Sequence, residues 1–277
     1  MKILLANNTS HYHNGCAAVI EFISDTLKKQ GHEIIATHKS DTYKWSRENV
    51  LKADAVVVNG EGTLHHKGLT HWIPKILTFA QKNKKKTYLV NTVWARNRGD
   101  WSSVLKRLDY INVRELSSKR ELKKQYSIDA PSYLDFCFFN KIDENSPYKD
   151  FEGEEIFGDY FMYTKGSNPV GDKKSPRLVL QKKNWSYIVK SLRTCSLYTT
   201  GRHHGLYAAC KARVPFVTYK HNCHKIKGLF KGAGVEIPIP RNAQQIKEAQ
   251  NWARKNIDVY LQLFDWMEQQ PIWQGIP

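Results

Sequence analysis

Residues 199–210, TTGRHHGLYAAC, form the stretch from which the fold and the function of this chain can first be predicted. The residues before its first glycine are typical of a buried strand, and those after its second glycine are typical of a helix. The short turn between them carries one arginine and two histidines. Ligands bind at such turns in open α/β sheets, because the N–H groups at a helix N-terminus face a crevice beside the strand ends. We therefore predict an anion-binding site made of Gly201, Arg202, His203, His204 and Gly205.

The sequence on either side of this turn follows the same strand–turn–helix order. Residues 214–219, VPFVTY, predict the next strand, and Lys225 stands in the cationic turn that follows it. Near the start of the chain, residues 2–6 and 32–36 predict two strands, with Asn14 and Gly15 at the entrance of the helix between them. This alternation predicts an α/β fold. The first unit lacks the G-x-G-x-x-G fingerprint and the phosphate-binding P-loop, so a dinucleotide or ATP site is not supported.

A second polar turn follows residues 53–59, ADAVVVN, which predict another buried strand. The turn consists of Gly60, Glu61, Gly62, Thr63, Leu64, His65 and His66. Two glycines let a ligand approach the backbone closely while Glu61 presents one carboxylate. A solvent-exposed turn without a function is the alternative interpretation. Its position at the carboxyl end of a strand favours a functional site.

The polar and acidic segment 140–158 marks a domain boundary, because its composition differs from that of the periodic segments around it. We expect one domain over residues 1–143 and a second over residues 154–277. Residues 243–268 have the apolar periodicity of one long amphipathic helix. This terminal helix is expected to pack back on the first domain.

The composition favours anionic partners, because the 277-residue chain carries a net charge of +17. Nucleic acid, an acidic membrane leaflet, an acidic glycan and a phosphorylated small substrate are the candidates. We expect a cytoplasmic protein, since no apolar run has the length of a signal peptide or of a membrane span. The 5 cysteines are scattered without a C-x-x-C pair, and adjacent histidines diverge, so we expect no disulfide framework, no bound metal and no cofactor.

Five stretches of the chain resemble, in the same order, the sequence elements of the polysaccharide pyruvyl transferase family. They are Asn14-Gly15 before a helix, NGEGT at 59–63, Val113-Arg114-Glu115, LDFCF at 134–138 and RHHG at 202–205. Cys16 stands where the family usually has an aspartate, and 134–138 lacks the proline of the family's Asp-Pro-x-Phe strand. The resemblance covers most of the chain. It implies two Rossmann-like domains that face each other across a cleft, as in GT-B glycosyltransferases.

The resemblance also implies an activity in the biosynthesis of surface polysaccharides or glycolipids. Members of the family transfer a pyruvyl (carboxyethylidene) group from phosphoenolpyruvate to sugar hydroxyls. Phosphoenolpyruvate carries a phosphate and a carboxylate, so several cations must lie close together to bind it. The donor-binding residues expected on this basis are Arg202, Lys225, Gly201, Gly205, Asn14 and Gly15. On the acceptor side we expect Gly60, Gly62, Thr63, His65 and Arg114.

Three side chains are assigned to the chemistry itself. His204 is the expected general acid, because a histidine delivers protons near neutral pH. His203 lies beside it and assists in holding the donor. Glu61 is the expected base toward the sugar hydroxyl, with His65 or His66 behind it.

Two alternative functions and one question of location remain open from the sequence. The same residues suit a metal-independent GT-B-like glycosyltransferase that uses a nucleotide-activated sugar, since cations also stabilise a departing nucleotide phosphate. A nucleic-acid-binding protein is an alternative of another class, motivated by the net charge, although no recognition module is present. A basic face would also hold the enzyme peripherally at the inner membrane face, near lipid-linked acceptors.

Overall fold

The computed structural model of the protein describes residues 1–39, 44–61, 64, 72–97, 100–159, 176–180, 184–219 and 223–277. These residues group into two compact units, each with its own parallel sheet. The first unit contains Met1–His11, Val19–Phe136 and Pro271–Pro277. The second contains Tyr12–Ala18 and Cys137–Gln270. The short segment Tyr12–Ala18 thus groups with residues that follow it by more than a hundred positions in the chain.

The first unit is built on a five-stranded parallel sheet in the order β2-β1-β3-β4-β5. Its strands are β1 (Lys2–Asn8), β2 (Glu33–Lys39), β3 (Ala55–Asn59), β4 (Lys86–Thr92) and β5 (Tyr110–Val113). Its helices are α1 (Asn14–Lys29, whose first residues belong to the second unit), α2 (Arg47–Lys52), α3 (Trp72–Lys82), α4 (Ser102–Leu105) and α5 (Leu116–Tyr126).

The core of this unit follows from the apolar pattern of its elements. Every residue of the central strand β3 is buried, as expected for a parallel strand covered on both faces. Helix α3 buries a single face, which carries Trp72, Ile73, Ile76, Leu77 and Ala80. That spacing is the one that places side chains on the same side of a helix.

The second unit holds a three-stranded parallel sheet in the order β6-β7-β8. Its strands are β6 (Glu155–Phe157), β7 (Leu197–Thr200) and β8 (Phe216–Thr218). Its helices are α6 (Trp185–Leu192), α7 (His203–Ala212), α8 (Lys225–Ala233), α9 (Ala243–Lys255) and α10 (Ile257–Glu268). The central strand β7 leads directly into α7, so the Arg-His-His turn lies at the middle of this sheet.

The α/β class with parallel sheets is confirmed, but three local predictions differ from the structure. Strand β6 lies inside the segment that composition marks as a linker. Residues Phe136–Phe139 form a 3-10 turn where a short strand is expected. The terminal helix is two helices, α9 and α10, divided at Asn256, whose φ of −126° and ψ of 47° are not helical.

Both helices of this terminal pair belong to the second unit, and the residues after them, Pro271–Pro277, group with the first. Trp273 of that segment is 1% exposed and stacks on Phe136 with ring centroids 4.8 Å apart. Among the described residues, no helix has both the length and the apolar character that crossing a bilayer requires.

Candidate active site

The carboxyl ends of β6, β7 and β8 lie at one edge of the second sheet, because the three strands are parallel. Three charged residues follow these strand ends. Asp159 comes two residues after β6, Arg202 two residues after β7, and Lys225 begins the helix that follows β8. Asp159 and Arg202 thus lie at the edge where α/β sheets bind ligands, and Lys225 opens the helix that follows the last of these strands.

Glycines allow α7 to begin directly against β7. A Cβ on Gly205 would stand 2.5 Å from Oγ1 of Thr200, so a side chain there would have to displace the Thr200 side chain at the end of the strand. The N–H of Gly201 donates to the carbonyl oxygen of Asp159 at 2.9 Å, which ties the turn to the end of β6. Arg202 occupies the N-cap position of α7 with extended backbone angles (φ −101°, ψ 138°) and makes no side-chain capping bond. Its side chain is therefore directed by contacts other than capping.

The carboxylate of Asp159 supplies one such contact. Nε of Arg202 lies 3.4 Å from Oδ2 of Asp159, and the same oxygen accepts a hydrogen bond of 2.9 Å from the N–H of Leu180. The Arg202 side chain is 24% exposed, so it reaches solvent. A guanidinium has five N–H donors, so a contact through Nε is compatible with a bidentate contact to an oxyanion.

The two histidines of the turn are buried and point toward different neighbours. His203 is 6% exposed and its ring centroid lies 4.7 Å from that of Tyr207. His204 is 5% exposed and packs edge-on against His13, with centroids 4.9 Å apart. The rings of His203 and His204 are themselves 5.6 Å apart. The two rings thus contact each other and also have different further neighbours.

The first turn of α1 meets the Arg-His-His turn within the second unit. The N–H of Asn14 donates to the carbonyl oxygen of Leu180 at 3.1 Å. A Cβ on Gly15 would stand 2.3 Å from the Cβ of His204. The predicted donor-side residues Asn14 and Gly15 are therefore brought together with His204, as are Gly201, Arg202, His203 and Gly205.

Glu61 lies in a buried polar network at the carboxyl edge of the first sheet. It is 3% exposed, and its Oε2 accepts hydrogen bonds from Oγ1 of Thr9 at 2.9 Å and from Nδ2 of Asn59 at 3.3 Å. Nδ2 of Asn7 donates to the carbonyl oxygens of Asn59 (2.6 Å) and Glu61 (3.3 Å). Gly60 precedes it, where a Cβ would stand 2.2 Å from Oγ1 of Thr92. The bonds from Thr9 and Asn59 hold the carboxylate in one orientation.

Arg114 occupies a different environment from the one expected for an acceptor-binding residue. Its side chain is 2% exposed and forms an ion pair through Nη1 with Oδ2 of Asp135, whose side chain is fully buried. The ion pair commits the Arg114 guanidinium to Asp135 in the interior of the protein. We therefore expect Arg114 to support the sheet edge instead of contacting the acceptor. The predicted acceptor-side residues Gly62, Thr63 and His65, and His66 behind them, lie outside the described residues.

Sequence reasoning missed three residues that the structure brings into this region. Asp159 follows the apolar pair Ile156-Phe157, a pattern that could have indicated a strand end inside the presumed linker. His13 and Cys16 are adjacent to the predicted Asn14-Gly15 turn, and their side chains lie near His204. No sequence signal relates them to His204, because the pairing depends on how α1 and α7 meet.

Solved structures of similar fold include proteins in complex with UDP or UDP-GlcNAc and a rhamnosyltransferase. S. aureus MnaA in complex with UDP aligns with a TM-score of 0.60 at 11% identity, over 95% of this chain and 90% of that one. UDP-GlcNAc 2-epimerase from Neisseria meningitidis bound to UDP-GlcNAc aligns with a TM-score of 0.53 at 11% identity, over 95% and 94%. The spinosyn rhamnosyltransferase SpnG aligns with a TM-score of 0.50 at 8% identity, over 98% and 97%. At these identities the likeness establishes the fold alone, which is of the two-domain Rossmann-like, GT-B-like type.

Family membership comes from the sequence. No curated protein sequence matches the chain significantly. The model of the family described as polysaccharide pyruvyl transferase matches residues 15–222. The match begins at Gly15 and includes the Glu61 turn, Arg114, Asp135 and the Arg-His-His turn, which are the elements whose geometry is described above. The chain therefore belongs to the polysaccharide pyruvyl transferase family.

Proposed function

We propose that this protein is a transferase of surface polysaccharide or glycolipid biosynthesis that moves a pyruvyl group from phosphoenolpyruvate to sugar hydroxyls. Family membership supports the reaction class. The observation that carries the proposal is the position of Arg202, which is partly exposed, oriented by Asp159 and located at the N-terminus of α7. A helix N-terminus with an adjacent guanidinium is suited to a ligand with two oxyanions.

In this proposal the donor binds at the carboxyl edge of the second sheet. Arg202 binds the phosphate or the carboxylate bidentately, and the N–H groups of the first turn of α7 donate hydrogen bonds to the other anionic group. Lys225, at the start of α8, supplies a second cation from the next strand end. The ring of His203 packs against Tyr207, and we assign this residue to holding the shape of the turn.

The proposed reaction balances without a metal or a redox partner. A proton is added to the CH2 carbon of phosphoenolpyruvate, and a sugar hydroxyl oxygen bonds to the adjacent carbon. Phosphate then leaves that carbon, and a second hydroxyl of the sugar takes its place, which completes the carboxyethylidene ketal. Of the two hydroxyl protons, one ends in the new methyl group and the other leaves with phosphate. His204 is proposed to deliver the first proton, and Glu61 to remove a proton from the attacking hydroxyl.

A nucleotide-activated sugar is the second candidate donor. It is favoured by the bound UDP and UDP-GlcNAc named for the structures of similar fold. Glycosyl transfer would use the same cations to stabilise the departing nucleotide phosphate.

A donor screen by thermal unfolding tests the proposal. A ligand that binds only the folded protein stabilises it, by about 2.7 kcal/mol when the ligand concentration is a hundred times Kd, and thereby raises its Tm. We expect a shift with phosphoenolpyruvate, and no shift with phosphate alone at equal concentration. A shift with UDP-, CMP- or GDP-sugars and none with phosphoenolpyruvate would refute the proposal in favour of glycosyl transfer.

We also propose that the protein works in the cytoplasm, peripherally at an anionic membrane surface, where a lipid-linked sugar acceptor would be presented. The net charge of +17 supports this location, because each basic residue near an anionic leaflet contributes about 1 kcal/mol to binding. Sedimentation with vesicles that contain anionic lipid, compared with neutral vesicles, measures it. Equal sedimentation with both would refute it.

A further inference from the structure

Three side chains with metal-ligating atoms converge in the second unit, and one of them, His204, is also the proposed general acid. His13 immediately precedes α1, Cys16 lies in the first turn of α1, and His204 lies in the first turn of α7. Nε2 of His13 is 3.4 Å from Sγ of Cys16 and 3.4 Å from Nδ1 of His204. Sγ of Cys16 is 4.0 Å from Nδ1 of His204, so the three atoms form a closed triangle.

We propose that His13, Cys16 and His204 bind one divalent transition-metal ion of the zinc class, with a fourth coordination position open. The inference goes beyond the proposed function, because it assigns a metal that neither the family nor the donor chemistry requires. The sequence does not predict this metal site, because the histidines that it offers as candidate ligands are the adjacent pairs His65-His66 and His203-His204.

The spacing of the three atoms is that of three corners of a tetrahedron around such an ion. With bonds of about 2.05 Å to nitrogen and about 2.3 Å to sulfur, tetrahedral angles place two nitrogens about 3.4 Å apart and a nitrogen and a sulfur about 3.6 Å apart. The observed separations are 3.4, 3.4 and 4.0 Å. The separation between Cys16 and His204 must shorten by about 0.4 Å, and the separation between Cys16 and His13 must lengthen by about 0.2 Å. Rotation about side-chain bonds suffices for changes of this size.

The donor set selects the class of ion. Two imidazoles and one thiolate favour zinc, cobalt, nickel or copper, whereas magnesium and calcium prefer oxygen ligands. Cys16 is 4% exposed and His204 is 5% exposed, so the site is largely shielded from water on the side of these two ligands. His13 is half-buried, which leaves a route for the ion on its side.

Close packing keeps the ligands in place before any metal binds. Gly15 allows His204 to approach α1 so closely that a Cβ at that position would stand 2.3 Å from the Cβ of His204. The N–H of Cys16 also lies 3.4 Å from Nδ1 of His13. When Nε2 of His13 binds the metal, the ring proton lies on Nδ1, which can then no longer accept a hydrogen bond from the N–H of Cys16. That contact is longer than the range of about 2.7–3.2 Å in which such hydrogen bonds are strong, so little is lost.

Metal binding has a consequence for His204. Coordination through Nδ1 leaves only Nε2–H, which donates a hydrogen bond but is a poor proton source. If His204 is the general acid, the metal-loaded enzyme should therefore be slower than the metal-free enzyme. The metal proposal itself does not depend on this, because its test does not measure turnover.

Cobalt titration of the chelator-treated protein tests the proposal. We expect saturation at one equivalent, with the near-ultraviolet charge-transfer band of a cobalt–thiolate bond and the visible bands of tetrahedral cobalt, and displacement of both by zinc. Cys16→Ser should remove the charge-transfer band, and His13→Gln should weaken binding by at least about tenfold. The matched controls Cys223→Ser and His32→Gln should behave like the wild type.

X-ray absorption of the wild-type zinc complex gives a test that needs no variant. We expect one sulfur and two imidazole nitrogens among the nearest neighbours of the ion. A first shell of nitrogen and oxygen only, or a titration that does not saturate at one equivalent, would overturn the proposal. A charge-transfer band that persists in Cys16→Ser and disappears in Cys223→Ser would overturn it as well. Failure of phosphoenolpyruvate to bind would refute the proposed function and leave this result unaffected.

Discussion

Gly15 and His204 are 189 positions apart in the chain, and the two residues pack so closely that a Cβ on Gly15 would stand 2.3 Å from the Cβ of His204. This contact joins the first turn of α1 to the first turn of α7 within the second unit. It explains physically why glycine stands at position 15, since any side chain there would displace the histidine. Both helix N-termini are thereby brought to the same place, which concentrates their positive ends near the Arg-His-His turn.

Replacement of Gly15 by alanine is the first prediction. The added methyl group meets the root of the His204 side chain, which cannot move as the end of a flexible chain can, so α1 or α7 must shift. We expect a loss of about 1–3 kcal/mol in the free energy of unfolding, and weaker binding of both donor and metal. Urea unfolding measures the stability change. Ala17→Ser, in the same turn of α1, should cost only about 0.5 kcal/mol; equal losses for the two variants would contradict this account.

The ion pair between Arg114 and Asp135 leads to the second prediction. Both side chains are almost completely buried, and removing one partner leaves the other charge in the interior without this ion pair. Arg114→Met should therefore destabilise the protein by about 3–5 kcal/mol, whereas the double variant Arg114→Met/Asp135→Leu should lose less. A double-mutant cycle by urea unfolding gives the coupling energy. Additive effects of the two substitutions would show that the pair does not act as a unit.

Much of the fold could be predicted from local patterns, because strands such as β3 are continuous apolar runs that end in glycine turns. The Arg-His-His turn and the Glu61 turn could be located for the same reason. The partner of Arg114 could not be identified, because the sequence around Asp135 fits a residue of the core as well as it fits a residue that faces a crevice. The approach of His13 and Cys16 to His204 also could not be predicted, since it is set by packing between helices distant in sequence. The break at Asn256 has no proline or glycine to mark it.

The third prediction concerns Glu61. Glu61→Gln preserves the size of the side chain and an oxygen that accepts from Thr9 and Asn59, but it removes the proposed base. Phosphate release from phosphoenolpyruvate in the presence of a lipid-linked glycan pool should fall about 100- to 10,000-fold, while donor affinity stays unchanged. Thr9→Val removes the 2.9 Å hydrogen bond to the carboxylate and leaves the charge, so its effect should be smaller. Full activity of Glu61→Gln would remove Glu61 from the chemistry.

The fourth prediction is a loss of stability at alkaline pH. Burial raises the pKa of Tyr219 to about 12 and raises the pKa of Tyr198 and of Tyr260 well above the ordinary 10.0. As the pH rises, the unfolded chain loses these phenolic protons at a lower pH than the folded protein does. Between the two pKa values of each tyrosine, the folded state therefore holds more protons. Stability is therefore fully present below about pH 9 and falls as the pH rises beyond about 10. Burial lowers the pKa of Lys211, which makes stability rise with pH, but this is one group against the three tyrosines.

Thermal unfolding between about pH 8 and 11 measures this dependence. Tyr260→Phe should make the alkaline decline less steep, although it also loses the 2.5 Å hydrogen bond from its hydroxyl to the carbonyl oxygen of Phe216. Tyr148→Phe, at a position whose side chain is 49% exposed, is the matched control and should leave the pH profile unchanged. A Tm that is constant across this range would contradict the prediction.

The central claim is that Arg202 holds an anionic donor, and calorimetric titration of phosphoenolpyruvate tests it most directly. A charge-assisted hydrogen bond is worth about 1.5–3 kcal/mol, so Arg202→Ala should weaken binding about 10- to 100-fold. Arg193→Ala is the matched control, because Arg193 pairs with Glu144 at the surface of the same unit and should bind the donor like the wild type. We predict saturable binding to one site that depends on Arg202. No binding of phosphoenolpyruvate to the wild type, or equal affinity in Arg202→Ala, would contradict the account.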